Sequence, residues 1–132
     1  MSQLFAAVYE IRSASQSRPV LRLNLVVNRV NGSVVGTAMV ETVTGDIHEI
    51  SVRGHHLEIE SAESLQAIVL AGTPPIFAVL DEQPDSFQAL MVLPSANKTG
   101  QAYFKMSVGK IYPRVIDVRD GVARAVLPET VY

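Results

Sequence analysis

The chain has 132 residues, of which 48% are apolar and 18% charged, with no cysteine and a net charge of −2. This length suits one domain, residues 1–132, that buries a core without covalent staples, and the apolar share excludes a disordered chain. Lack of cysteine excludes a disulfide framework, a thiolate nucleophile and cysteine-built zinc sites, while the slight acidity leaves no general basic footprint for nucleic acid or an anionic membrane.

The opening stretch "MSQLFAAVYEIRS" has no basic residue ahead of a short apolar run, and Glu10 interrupts the run's continuation. It reads as a first strand and not as a signal peptide, so the expected location is the cytoplasm. No apolar run approaches the ~18 residues a membrane-spanning helix needs.

Next comes "PVLRLNLVVNRVNGSVVGTAMVETV", two alternating runs around Asn31-Gly32. An Asn-Gly pair suits a two-residue hairpin turn with positive φ at both central positions. The expected register then sets Leu23 opposite Val40, Leu25 opposite Ala38 and Val27 opposite Gly36 on an apolar face. On the other face Arg22 would meet Glu41 and Asn24 would meet Met39.

Residues 45–60, "GDIHEISVRGHHLEIE", hold all three histidines, His48, His55 and His56, among four carboxylates. A turn at Gly54-His55 would pair Val52 with Leu57 and Ile50 with Ile59 as an apolar face. His55 would then sit at the tip and His56 on the opposite face beside Arg53. His48 would lie about 16 Å down the ladder at ~3.3 Å per residue. Ligands so placed cannot share one zinc, so no metal site is expected. For catalysis the residues to try are His48 with Asp46 or Glu49 as an acid–base pair and one of the serines as nucleophile, and neither a GxSxG elbow nor an HExxH motif accompanies them. The expectation is a non-enzymatic chain without a cofactor.

Beyond residue 60 the runs "LQAIVLA", "IFAVL" and "ALMVL" are apolar at both parities. Residues 61–71 fit either a strand or a short helix capped by Ser61, and the surrounding pattern favours strand. Pro74-Pro75 and Gln83-Pro84-Asp85 bracket "IFAVLDE", and "PSANKTG" is the longest loop. Asn97-Lys98-Thr99 matches the glycosylation acceptor but reads as a polar loop.

In "YFKMSVGKIYPR" aromatic rings interleave with cations, the composition of a single-strand nucleic-acid platform. Alternation points instead to a half-buried strand with Tyr103 and Lys105 on one face and Phe104 and Met106 on the other. A final hairpin is expected to turn at Asp120-Gly121 and set Asp117 opposite Arg124. The tail "PETVY" should fray.

Strand-like runs about every ten residues predict an all-β fold, an antiparallel sandwich or barrel of about 8 to 10 short strands with at most one short helix. In "LFAAVYEIRSA", "LRLNLVVNRVNGSVVGTA" and the Pro-Pro followed by "IFAVL", the chain resembles a small bacterial family catalogued as domain of unknown function 1842. That resemblance implies a bacterial, soluble, β-rich protein and places no site residue.

Two functions fit this pattern. One is a protein-interaction or structural module that docks a second copy or another protein, with Phe77, Val79, Tyr103, Lys105, Lys110, Tyr112 and Arg114 as the candidate surface. The alternative is a β-barrel holding a small apolar ligand. Nucleic acid and membrane are not expected partners.

Overall fold

A computed structural model describes residues 4–59, 65–73, 84–94, 99–109 and 114–126. Its strands are β1 (Leu4–Ser13), β2 (Val20–Asn28), β3 (Ser33–Glu41), β4 (Ile47–Ile59), β5 (Leu65–Thr73), β6 (Pro84–Pro94), β7 (Thr99–Val108) and β8 (Arg114–Val126). Each runs antiparallel to the next, and β8 returns to pair with β1, closing an eight-stranded barrel. Closure removes the open edges that would otherwise invite pairing with other chains. No helix occurs among the described residues.

The alternation that predicted strands is the alternation that fills the barrel. On β2 the odd positions Leu21, Leu23, Leu25 and Val27 point inward and are buried, while Arg22, Asn24 and Val26 face out. Ile11, Ile68, Met91, Phe104 and Met106 join them at essentially zero exposure. Residues 65–71 belong to β5, so the helix alternative does not hold for them. "IFAVLDE", the Asn97-Lys98 pair and "PETVY" lie outside the described residues.

The β2–β3 hairpin forms, but two residues out of the expected register: Leu23 pairs with Ala38 and Leu21 with Val40. An even shift keeps every side chain on its face, which is why the apolar pattern survives. The cause is a longer turn, residues 29–32. The Gly32 N–H donates to the Asn28 carbonyl at 2.8 Å, with Gly32 at φ 74°. The side-chain oxygens of Asn28 and Asn31 accept from the Val30 and Ser33 amides, both at 2.9 Å. Arg22 therefore stands opposite Met39, not Glu41, and Asn24 opposite Thr37, not Met39.

Neither of the other two expected turns exists. β4 runs unbroken for 13 residues through Gly54-His55, so Val52 pairs with Gly36 and Gly72, not with Leu57, and Ile50 pairs with Ala38, not with Ile59. Gly54 is required for a different reason: a Cβ there would overlap the Val69 carbonyl oxygen on β5. Strand β8 likewise runs for 13 residues through Asp120-Gly121. Ala102 pairs with Gly121 and Phe104 with Val118, so Arg119 and Asp120 together oppose Tyr103 in a bulge. A Cβ on Gly121 would come within 2.7 Å of the Ala102 oxygen. Asp117 faces Lys105, and Arg124 faces Glu10 across β1 and Thr99 across β7.

The bulge is pinned to the end of β1. Hydroxyls of Ser13 and Ser15 each donate to the Asp120 carboxylate at 2.9 Å, and the Ala14 N–H donates to the Asp120 carbonyl at 2.9 Å. Hydrogen bonds from Ser13 and then Ser15 hold the Asp120 carboxyl below its usual range.

His48 and His56 both point inward near opposite ends of β4, eight residues or about 26 Å apart at ~3.3 Å per residue, while His55 faces out. His55 is therefore not at a turn tip, and His56 is not on the outer face beside Arg53 but part of the packing. The His56 N–H donates to the Gly32 carbonyl at 2.7 Å, and its Nε2 hydrogen-bonds the Gln66 side-chain oxygen at 3.2 Å. Its ring meets the Phe5 ring edge-on at 6.3 Å, and the Arg29 guanidinium covers Phe5 at 4.5 Å. Replacing His56 with alanine should therefore cost about 1 to 2 kcal/mol in urea unfolding, whereas His55→Ala should stay within about 0.5 kcal/mol. Equal costs would mean that His56 is not part of this packing.

Candidate functional site

Two regions of the outer wall stand out, on opposite sides of the barrel. The first is built where β8, β1, β2, β3 and β4 lie side by side. Register places Arg124, Glu10, Arg22 and Met39 in one row across β8 to β3. The next row, toward the barrel end, runs Val122, Arg12, Val20, Glu41 and Ile47 from β8 to β4. Arg18 enters from the β1–β2 connection.

Glu10, Arg12, Arg18, Arg22 and Glu41 frame a depression of about 340 Å³ in which Val20, Met39 and Ile47 lie between the charged groups. Two further hollows adjoin it, one reaching Gln16, Ser17 and Val43 and the other Val122 and Arg124. Glu10 is its anchor, its side chain only 13% exposed. One carboxylate oxygen accepts from Arg12 Nε at 2.7 Å, and the other lies 3.5 Å from Arg22 Nη2. Arg12 Nη1 also donates to the Ser17 carbonyl at 3.4 Å. Arg18 Nη2 pairs with Glu41 at 3.1 Å, an exposed ion pair of small intrinsic worth.

The Arg12 hydrogen bond, reinforced against the opposing effect of burial by the charge of Arg12, hydrogen bonding from Arg22 and the charge of Arg124, holds the Glu10 carboxyl below its ordinary 4.5. A depressed carboxyl contributes stability above its unfolded pKa and loses it as pH falls through the folded value. Thermal midpoints taken from pH 6 downward should thus fall more steeply below about pH 4.5 for the wild type than for Glu10→Gln. Parallel acid limbs would contradict the role given to Glu10.

The second region is the outer wall of β4 to β7. Leu57, Ala67 and Val92 form one row across β4, β5 and β6, and His55, Val69, Leu90 and Tyr103 form the next, ending on β7. Leu57, Val69 and Leu90 are 53%, 45% and 42% exposed.

The surface expected from the sequence divides. Tyr103 lies at the edge of this apolar wall, its hydroxyl accepting from Gln88 Nε2 at 3.4 Å, and Lys105 follows on the same face between Gln88 and Asp117. Arg114 pairs with Val108, five residues along β7 from Tyr103, and lines a separate hollow of about 230 Å³ with Asp46, Ile47 and His48. Phe77, Val79, Lys110 and Tyr112 lie outside the described residues. Sequence reading missed the arginine depression. Its local signals were Glu10 and Arg12 sharing the outer face of a strand and Arg22 with Glu41 on the outer face of the β2–β3 hairpin.

The model of a family described as "Domain of unknown function (DUF1842)" matches residues 2–110. No curated protein matches the chain.

Proposed function

The chain belongs to the family described as domain of unknown function DUF1842, and on that premise we propose that it is a non-enzymatic protein-interaction module that docks a second copy of itself through the outer wall of β4 to β7. The observation that carries this reading is the pair of apolar rows on that wall. Leu57, Val69 and Leu90 are about half exposed although the inward face of the same strands is already buried against the core. Contiguous exposed apolar patches beyond a few hundred Å² are uncommon on monomers and often mark contact sites.

A second copy is the favoured partner because the rows Leu57–Ala67–Val92 and Val69–Leu90 carry no charge, so nothing in them selects a partner of particular sign. A two-fold contact would lay the same rows against themselves, as closed symmetric dimers do. The ligand-carrier reading receives less support. Phe104, Ile11, Met91 and Met106 occupy the barrel axis, where a carrier keeps its cavity. Among the described residues no helix is long and apolar enough to cross a membrane. The apolar interior is also the reverse of the polar lumen of a membrane barrel.

Light scattering at micromolar concentration should report a dimer for the wild type and a monomer for Val69→Glu and for Leu90→Lys, each with an unchanged circular dichroism spectrum. A wild-type chain that stays monomeric across the range overturns the reading.

A further inference from the structure

We propose that the depression framed by Arg12, Arg18 and Arg22 binds a small phosphomonoester, with the phosphate held among the guanidiniums and the organic group against Val20, Met39 and Ile47. This site lies on the β8–β1–β2–β3 side of the barrel and is independent of the self-docking wall.

The first ground is charge. Arg12, Arg18, Arg22 and Arg124 surround two carboxylates, Glu10 and Glu41, leaving a local excess of positive charge in a chain whose net charge is −2. The second is positioning. Glu10 is largely buried and draws Arg12 and Arg22 together at 2.7 and 3.5 Å, and the Ser17 carbonyl takes Arg12 Nη1, so the groups turned toward an anion are Arg12 Nη2 and the side of the Arg22 guanidinium away from Glu10. Both guanidinium-bearing side chains are about half exposed, at 53% and 52%.

The third ground is shape. Arg12 on β1, Arg22 on β2 and Arg18 on the β1–β2 connection line one depression, and the three terminal oxygens of a phosphate can accept from more guanidiniums than the two of a carboxylate. A volume of about 340 Å³ falls within the range of small-molecule sites. Glu41 is the competitor. Its exposed pair with Arg18 at 3.1 Å occupies the cation that an entering phosphate would take.

Calorimetric titration with phenyl phosphate at low ionic strength tests the site. Saturable one-to-one binding is expected, tighter than that of inorganic phosphate because the ring adds contacts to Met39 and Val20. Arg18→Gln and Arg22→Gln should each weaken it about tenfold or more. Glu41→Gln should tighten it by freeing Arg18. Arg53→Gln, on the outer face of β4 away from the depression, should leave it unchanged. Thermal midpoints would confirm that the variants are folded. No saturable binding at millimolar phenyl phosphate would overturn the proposal. So would equal weakening by Arg53→Gln, or weaker binding in Glu41→Gln.

Discussion

Replacing Gly54 with valine or asparagine should unfold the barrel or cost about 4 kcal/mol or more in urea titration, a large share of the ~5 to 15 kcal/mol available to a domain of this size. Any Cβ at this position overlaps the Val69 carbonyl oxygen, and a carbonyl in a strand ladder cannot rotate away as a side chain can. The strands β4 and β5 would have to part, breaking the ladder around the Gly54–Leu70 pair. Asparagine separates this account from a turn at Gly54-His55. Turns with positive φ accept asparagine, whereas a strand pressed against its neighbour does not. A Gly54→Asn variant as stable as the wild type would mean that β4 is not continuous there.

Phe104→Ala should destabilise by about 3 to 5 kcal/mol, the range for removing a fully buried aromatic side chain. Phe104 sits on β7 between Ala89 on β6 and Val118 on β8, with no exposed surface. The small residue on one side and the β-branched one on the other leave the ring as the main filler at that level, so little can collapse into the space. The void should behave as apolar cavities do and admit benzene. Benzene should accordingly raise the thermal midpoint of Phe104→Ala and leave the wild type unmoved. A wild-type barrel that gains stability from benzene would restore the ligand-carrier reading at the expense of the filled interior.

What the sequence carried was parity and punctuation. Alternation along β2 and β7 placed Leu23, Leu25, Phe104 and Met106 inside and Arg22, Tyr103 and Lys105 outside, and Asn31-Gly32 located the β2–β3 turn. Register was not carried, because it depends on turn length, and the side-chain hydrogen bonds of Asn28 and Asn31 that lengthen the turn leave no period in the sequence. Gly54 and Gly121 misled for a physical reason. Glycine serves a turn by tolerating positive φ and serves a curved strand by letting a neighbouring backbone approach, and its letter is the same in both.

Closure was the least legible feature. The pairing of Arg12 with Val122 joins residues more than 100 apart and depends on the curvature of every strand between them. The arginine depression exists only once β8 and β3 flank β1 and β2, so no single stretch could announce it. The runs apolar at both parities beyond residue 60 were legible as such, and Val69 and Leu90 on the outside of β5 and β6 are part of them.

The most direct test of the self-docking wall is a dilution series followed by methyl-group NMR. The account predicts concentration-dependent shifts confined to Leu57, Ala67, Val69, Leu90 and Val92, with the core methyls of Ile11 and Ile68 unmoved and the Val122 methyls beside the arginine depression also unmoved. Shifts clustered at Val122 and Val20, or spectra identical at every concentration, would contradict it.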